Sequence, residues 1–156
     1  MPQPASIELS RTGCFGTCPA YRLKIDSAGN VEFTGRLFVC SRGLQTARID
    51  PVAAANLMAD LDAAGYFDIH WTRGSLVTDM PSAAMRLTIG SRMRQVCHYH
   101  GDDGAPRILY SMEDAIDEVA GTKRWLPSDQ DGRPVCIDAT GTKHALSEYE
   151  ESRAEN

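Results

Sequence analysis

No stretch of this 156-residue chain approaches the run of roughly 20 apolar residues that a membrane helix needs. The segment from Met1 to Leu9 has no basic region followed by an apolar one, so no secretory signal is expected. Positive charge is also in short supply. Sixteen Lys and Arg against 21 Asp and Glu leave a net charge of −5, which argues against a grip on nucleic-acid phosphates. No low-complexity tract or repeat period occurs. Ser10, Ser75 and Ser82 lack the strand–turn–helix setting of a nucleophile elbow. The five cysteines are an odd number, and without an export signal the expected compartment is the cytoplasm, where lasting disulfides are rare.

What is present is an ordinary globular composition, 42% apolar and 24% charged, long enough to bury a core without staples. Residues 6–10 alternate as a short strand. Residues 20–26 and 31–39 alternate on either side of Ser27-Ala28-Gly29-Asn30 and read as a hairpin. A weaker strand follows at 43–49. Asp50-Pro51 is a helix start, and Ala54, Leu57, Met58 and Leu61 supply the apolar stripe up to Gly65. Residues 84–89 and 92–100 form a second hairpin around Gly90-Ser91. On the latter strand Met93, Gln95, Cys97 and Tyr99 share one side and Val96 the other, a conflict that a bulge would reconcile. Pro106 opens a second helix whose stripe is Ile108, Leu109, Met112, Ala115, Ile116, Val119 and Ala120, ended by Gly121. Tyr66-Phe67 and Trp125-Leu126 are expected to fold back onto the core. The order ββββ-α-ββ-α predicts an α+β fold, a single antiparallel sheet of about six strands with two helices on one face. The domain should span residues 1–126. Residues 127–156 read as a polar C-terminal appendage, strand-like only at Val135-Cys136-Ile137, with the last ten residues disordered.

The chemically distinctive stretch is Cys14-Phe15-Gly16-Thr17-Cys18-Pro19-Ala20-Tyr21. Two thiols separated by three residues meet if Gly16 lets the loop curl. Three readings stay open: small apolar side chains under a turn, a disulfide or redox pair, or half of a metal site. Arg11 is a candidate to favour thiolate at one of them. The same stretch, from Arg11 to Tyr21, resembles the signature of a bacterial domain family of unknown function with the pattern Cys-Phe-Gly-x-Cys-Pro-x-Tyr. Ile25-Asp26-x-x-Gly29-x-Val31, Gly35, Thr78-Asp79-x-Pro81 and the run from Ile116-Asp117 to Trp125 are similar to it too. The resemblance covers about residues 5–126 and implies a shared α+β fold but no activity. That family includes predicted secreted proteins and lipoproteins, where a disulfide would persist.

Other candidates are scattered. His98 and His100 project to the same face of a strand; with Cys14 and Cys18 they would complete a Cys2His2 zinc set, against the alternative of solvent-facing histidines at a strand end. His70 and His144 stand alone. Asp79 is either a general base or a turn residue before Pro81. Glu113, Asp114, Asp117 and Glu118 read as the solvated face of the second helix, and Arg86, Arg92 and Arg94 as a small basic patch. The ligand or redox candidates are therefore Cys14, Cys18, Arg11, Tyr21 and Asp79. With no catalytic constellation in view, the expectation is a small soluble binding domain, as monomer or homodimer, for a protein or small-molecule partner. Neither nucleic acid nor membrane is expected as a partner. The alternative is a thiol redox or zinc-binding protein.

Overall fold

The computed structural model describes residues 4–14, 16, 18–130, 133–137 and 140–146. Six strands, β1 (Ala5–Arg11), β2 (Ala20–Asp26), β3 (Asn30–Leu37), β4 (Gly43–Arg48), β5 (Ser82–Ile89) and β6 (Arg92–Tyr99), form one antiparallel sheet in the order β4-β3-β2-β1-β5-β6. Two helices, α1 (Pro51–Ala63) and α2 (Ile108–Ala120), touch each other and β1 and cover one face. The fold is the expected α+β sheet with two helices, and the sheet stays open. Among the described residues no helix is long and apolar enough to cross a membrane.

The covered face is built in rows that run across the strands. One row is Val31, Ile25, Ile7 and Leu87; the next is Phe33, Leu23, Leu9, Met85 and Val96. These side chains are at most 3% exposed. They form the floor on which Leu57, Met58 and Leu61 of α1 and Leu109, Met112 and Ile116 of α2 are packed. The third row is different. It reads Gly35, Tyr21, Arg11, Ala83 and His98. Gly35 is obligatory there, because a Cβ would collide with the carbonyl of Ser41 and with Val39.

Local signals act as expected at both helix ends. The Asp50 carboxylate accepts from the N–H of Val52 at 2.9 Å, and Pro51 takes the first turn. Gly121 ends α2 at φ 71°. Tyr66 does fold back: fully buried, its hydroxyl lies 3.0 and 2.8 Å from the carbonyl oxygens of Met85 and Arg94, which share its single proton, and burial pushes its pKa up to about 12. Trp125 stacks on Phe33 at 4.7 Å.

Two expectations are corrected. β6 carries no bulge; its register against β5 is continuous, and the core side is Arg94, Val96 and His98, with Met93 and Cys97 exposed. Apolar counting picks the wrong side because the inward Arg94 and His98 are hydrogen-bonded. Arg94 donates to the carbonyls of Tyr66 and Ile69. The basic patch also disperses, since Arg94 faces inward, Arg92 pairs with Asp62 at 2.8 Å and Arg86 lies near Glu8.

Beyond α2 the chain forms a second, three-stranded antiparallel sheet: β7 (Ser128–Gln130), β8 (Arg133–Ile137) and β9 (Lys143–Ala145). The strand-like patch at 135–137 is thus the centre of a sheet whose two outer strands are too short and polar to show periodicity. A Cys40–Cys136 disulfide and the buried Leu146 fasten it to the β3–β4 connection, beside Phe38. Residues 147–156, expected to be disordered, lie outside the described residues.

Candidate functional site

The third row meets α2 at its polar turns. Leu109, Glu113, Ile116 and Ala120 are all fully buried, so one carboxylate lies inside the apolar stripe. Asp117, one turn on from Glu113, faces Arg11 and Tyr21. The helix therefore lowers two carboxylates onto a strand row that offers Tyr21, Arg11 and His98. Ala83, with its small side chain, stands between Arg11 and His98 in that row.

At one end of this cluster, Arg11 donates from Nε and Nη2 to Asp117 Oδ2 at 2.9 and 2.8 Å, and the Tyr21 hydroxyl donates to Asp117 Oδ1 at 2.8 Å. Burial opposes the charge on Arg11, but Asp117, helped by Tyr21 and Glu113, holds its pKa above the ordinary value. Burial, reinforced by the negative charge of Asp117, likewise pushes the Tyr21 phenol well up, so it stays a neutral donor. At the other end, Glu113 is clasped by two imidazoles. His98 Nδ1 lies 2.7 Å from Oε2 and His100 Nε2 lies 2.8 Å from Oε1. Both rings pack against Tyr110, with centroids 4.6 and 4.7 Å away. Arg11 is 3.9 Å from Glu113 and joins the two ends. His98 is fully buried, and its Nε2 has no hydrogen-bond partner among the described residues.

His100 opens from this cluster onto a cleft of about 530 Å3, lined also by Val77, Met80, Arg107 and Tyr110. One wall is the connection after α1. It is held against the residues following β6 by Asp102, which accepts from Gly74 N at 2.8 Å, Gly104 N at 3.0 Å and Trp71 Nε1 at 3.1 Å. The Gly74 N–H, with Gly104 and Trp71 adding, holds the Asp102 carboxyl below the ordinary carboxylate value. A depressed folded pKa means that the carboxylate favours the clasped loop above the unfolded value of about 3.9, and that this contribution is lost as pH falls through the folded value. The amide shifts of Gly74 and Gly104 are therefore expected to titrate with a midpoint below about 3.9, and Asp102→Ala is expected to flatten the titration. A midpoint at or above that value would mean that the clasp does not form in solution.

Several sequence expectations find their places here. Arg11 and Tyr21 belong to the cluster. Cys14 and Cys18 are joined as a disulfide, with Cα atoms 5.5 Å apart, in the connection between β1 and β2; Phe15 and Thr17 of that loop lie outside the described residues. The Cys2His2 set is not assembled, because these sulfurs are bonded to each other and the ligand atoms that converge are those of His98, His100 and Glu113. Arg11 correspondingly serves Asp117 rather than a thiolate. His98 is interior, not solvent-facing, and Glu113 and Asp117 turn inward, whereas Asp114 is exposed. Asp79 is an exposed turn residue at φ 63°, outside the cluster. Glu113 is the residue that sequence reasoning missed. The available signal was its spacing, four residues after Leu109 and three before Ile116, in the middle of the stripe.

Residues 5–120 match a family described as a domain of unknown function, DUF6438, and the chain belongs to that family. No curated protein matches the chain.

Proposed function

We propose that this domain is a binding module whose ligand site is the cleft between the 76–80 loop and the start of α2. The observation that carries the reading is a local concentration of exposed apolar side chains. Leu76, Val77, Met80, Ile108 and Tyr110 are each 39–60% exposed, and three of them line the cleft beside His100 and Arg107. Exposed apolar groups gathered around a few polar ones mark a contact surface more often than groups scattered singly. The ligand class is amphipathic: an apolar group seated among Val77, Met80 and Tyr110, with hydrogen-bonding groups toward His100 and Arg107.

The test uses the full chain and the dye 1-anilinonaphthalene-8-sulfonate, an apolar ring system carrying an anion. Amide shifts at Val77, Met80 and Tyr110 are expected on titration, and Met80→Asp is expected to abolish them. Shifts confined to the other apolar groove, along Pro51, Val52, Ala55 and Ala59 of α1, would overturn the assignment.

A thiol redox role is the second reading, favoured by the Cys14–Cys18 disulfide beside the cluster strand. A potential above the range typical of structural disulfides, below roughly −300 mV, is its expected signature; a lower one removes it. The two disulfides also favour an oxidising compartment over the cytoplasm, which keeps such pairs reduced. The two-cysteine loop is then a shape-fixing element of the domain.

A further inference from the structure

We propose that His98, His100 and Glu113 bind a divalent transition-metal ion, with Zn2+ as the representative probe. The site shares His100 with the neighbouring cleft but needs nothing bound among its apolar side chains. Three donors converge from two elements: His98 on β6, His100 just past its end and Glu113 on α2. Their ligand atoms all lie within 4.8 Å of one another. Two imidazole nitrogens and a carboxylate suit first-row divalent ions, zinc among them.

Charge points the same way. Arg11 is surrounded by three carboxylates of α2: Asp117 at 2.8 Å, Asp114 at 3.5 Å and Glu113 at 3.9 Å. Its hydrogen bonds go to Asp117 and to the Tyr21 hydroxyl, so the close partners of the fully buried Glu113 carboxyl are two imidazoles. A buried carboxylate without a matched cation is costly. Asp114 is exposed to solvent, so the inward carboxyl groups are Asp117, which Arg11 matches, and Glu113, beside which a divalent ion supplies the missing cation. Among the described residues the fully buried His98 Nε2 has no hydrogen-bond partner, so this histidine is held in the cluster by its Nδ1 contact to Glu113.

Metal–ligand bonds of about 2.0–2.2 Å in a tetrahedral arrangement separate ligand atoms by ~3.3 Å. The 2.7 and 2.8 Å contacts, which go to the two different oxygens of Glu113, need to open by about half an ångström, and the widest separation of ligand atoms, up to 4.8 Å, needs to close by about 1.5 Å. On binding, the His100 ring proton facing Glu113 moves to the other ring nitrogen or leaves to solvent through the cleft, and the His98 proton moves to Nε2, where no acceptor stands among the described residues. His100 lines the cleft, so the ion has a route in and a remaining coordination position on the open side.

The full chain, treated with EDTA and dialysed, is titrated with Zn2+ by calorimetry and with Co2+ by visible absorption. One equivalent of each is expected to bind. His100→Ala and Glu113→Gln are each expected to weaken binding by roughly tenfold or more, the scale associated even with outer-shell partners of metal ligands. The Cys14→Ser/Cys18→Ser double variant and His70→Ala are expected to bind as the parent does. The Co2+ spectrum needs no variant: nitrogen and oxygen ligation without a thiolate charge-transfer band is expected. Failure of the parent chain to take up either ion, parent-like affinity in His100→Ala, loss of binding in the cysteine variant, or a thiolate band would each overturn the proposal.

Discussion

Replacing Asp117 with alanine is expected to lower the stability of the domain by about 3 kcal/mol or more, the range for breaking a buried ion pair from one side. The side chains of Arg11 and Asp117 are only 18% and 20% exposed, so solvent screens them weakly. The variant takes two hydrogen bonds from the guanidinium, leaving it the Tyr21 hydroxyl and the exposed Asp114 at 3.5 Å, and takes from the Tyr21 hydroxyl its own acceptor. Glu113, at 3.9 Å, cannot replace Asp117 without leaving its histidines. Replacing both partners with apolar residues, Arg11→Met with Asp117→Leu, is expected to recover much of the loss, because no unpaired charge is then buried. Urea melts of the two variants measure the difference. A loss below ~1 kcal/mol for Asp117→Ala would place the pair among solvent-screened surface bridges.

The second large effect belongs to the disulfide that spans the chain. Cys40 and Cys136 are 96 residues apart, and in the chain-entropy account a closed loop of that size is worth between 4 and 5 kcal/mol, roughly. Cys14 and Cys18 are four residues apart, and the same account gives about 2 kcal/mol. The Cys40→Ser/Cys136→Ser variant is therefore expected to melt well below both the parent and the Cys14→Ser/Cys18→Ser variant under non-reducing conditions. Equal melting temperatures for the two double variants would show that β7–β9 contributes nothing to the cooperative unit.

Why the sheet was legible and the site was not follows from what each residue answers to. Ile7, Leu9, Leu23, Ile25, Val31 and Phe33 alternate because one face is dry, and Asp50-Pro51 and Gly121 mark helix ends by local chemistry. Each of these signals lies within a few residues. Glu113 and His98 answer to each other across 15 positions, and Arg11 to Asp117 across 106. In a one-dimensional reading each looks like a misplaced surface residue, because its burial is justified only by its distant partner. The two-cysteine loop was conspicuous through its glycines and proline. The second disulfide was not: Cys40 stands in the β3–β4 connection and Cys136 inside β8 without any motif around them, and an odd cysteine count hides two pairs behind one free thiol at Cys97. Strand order is absent from periodicity altogether. β5 adds to β1 rather than to β4 only because the chain crosses the sheet through α1 first.

The Cys40–Cys136 bond has a covalent consequence that reaches past stability. It makes a closed ring of everything from residue 40 to residue 136, including β4 to β6, both helices and all the histidines of the cluster. A single proteolytic cut at any exposed loop within that ring, such as the 76–80 connection, opens the ring but parts nothing. The nicked chain keeps its two pieces tied together, migrates as one species until reductant is added, and retains every strand and helix within the one molecule.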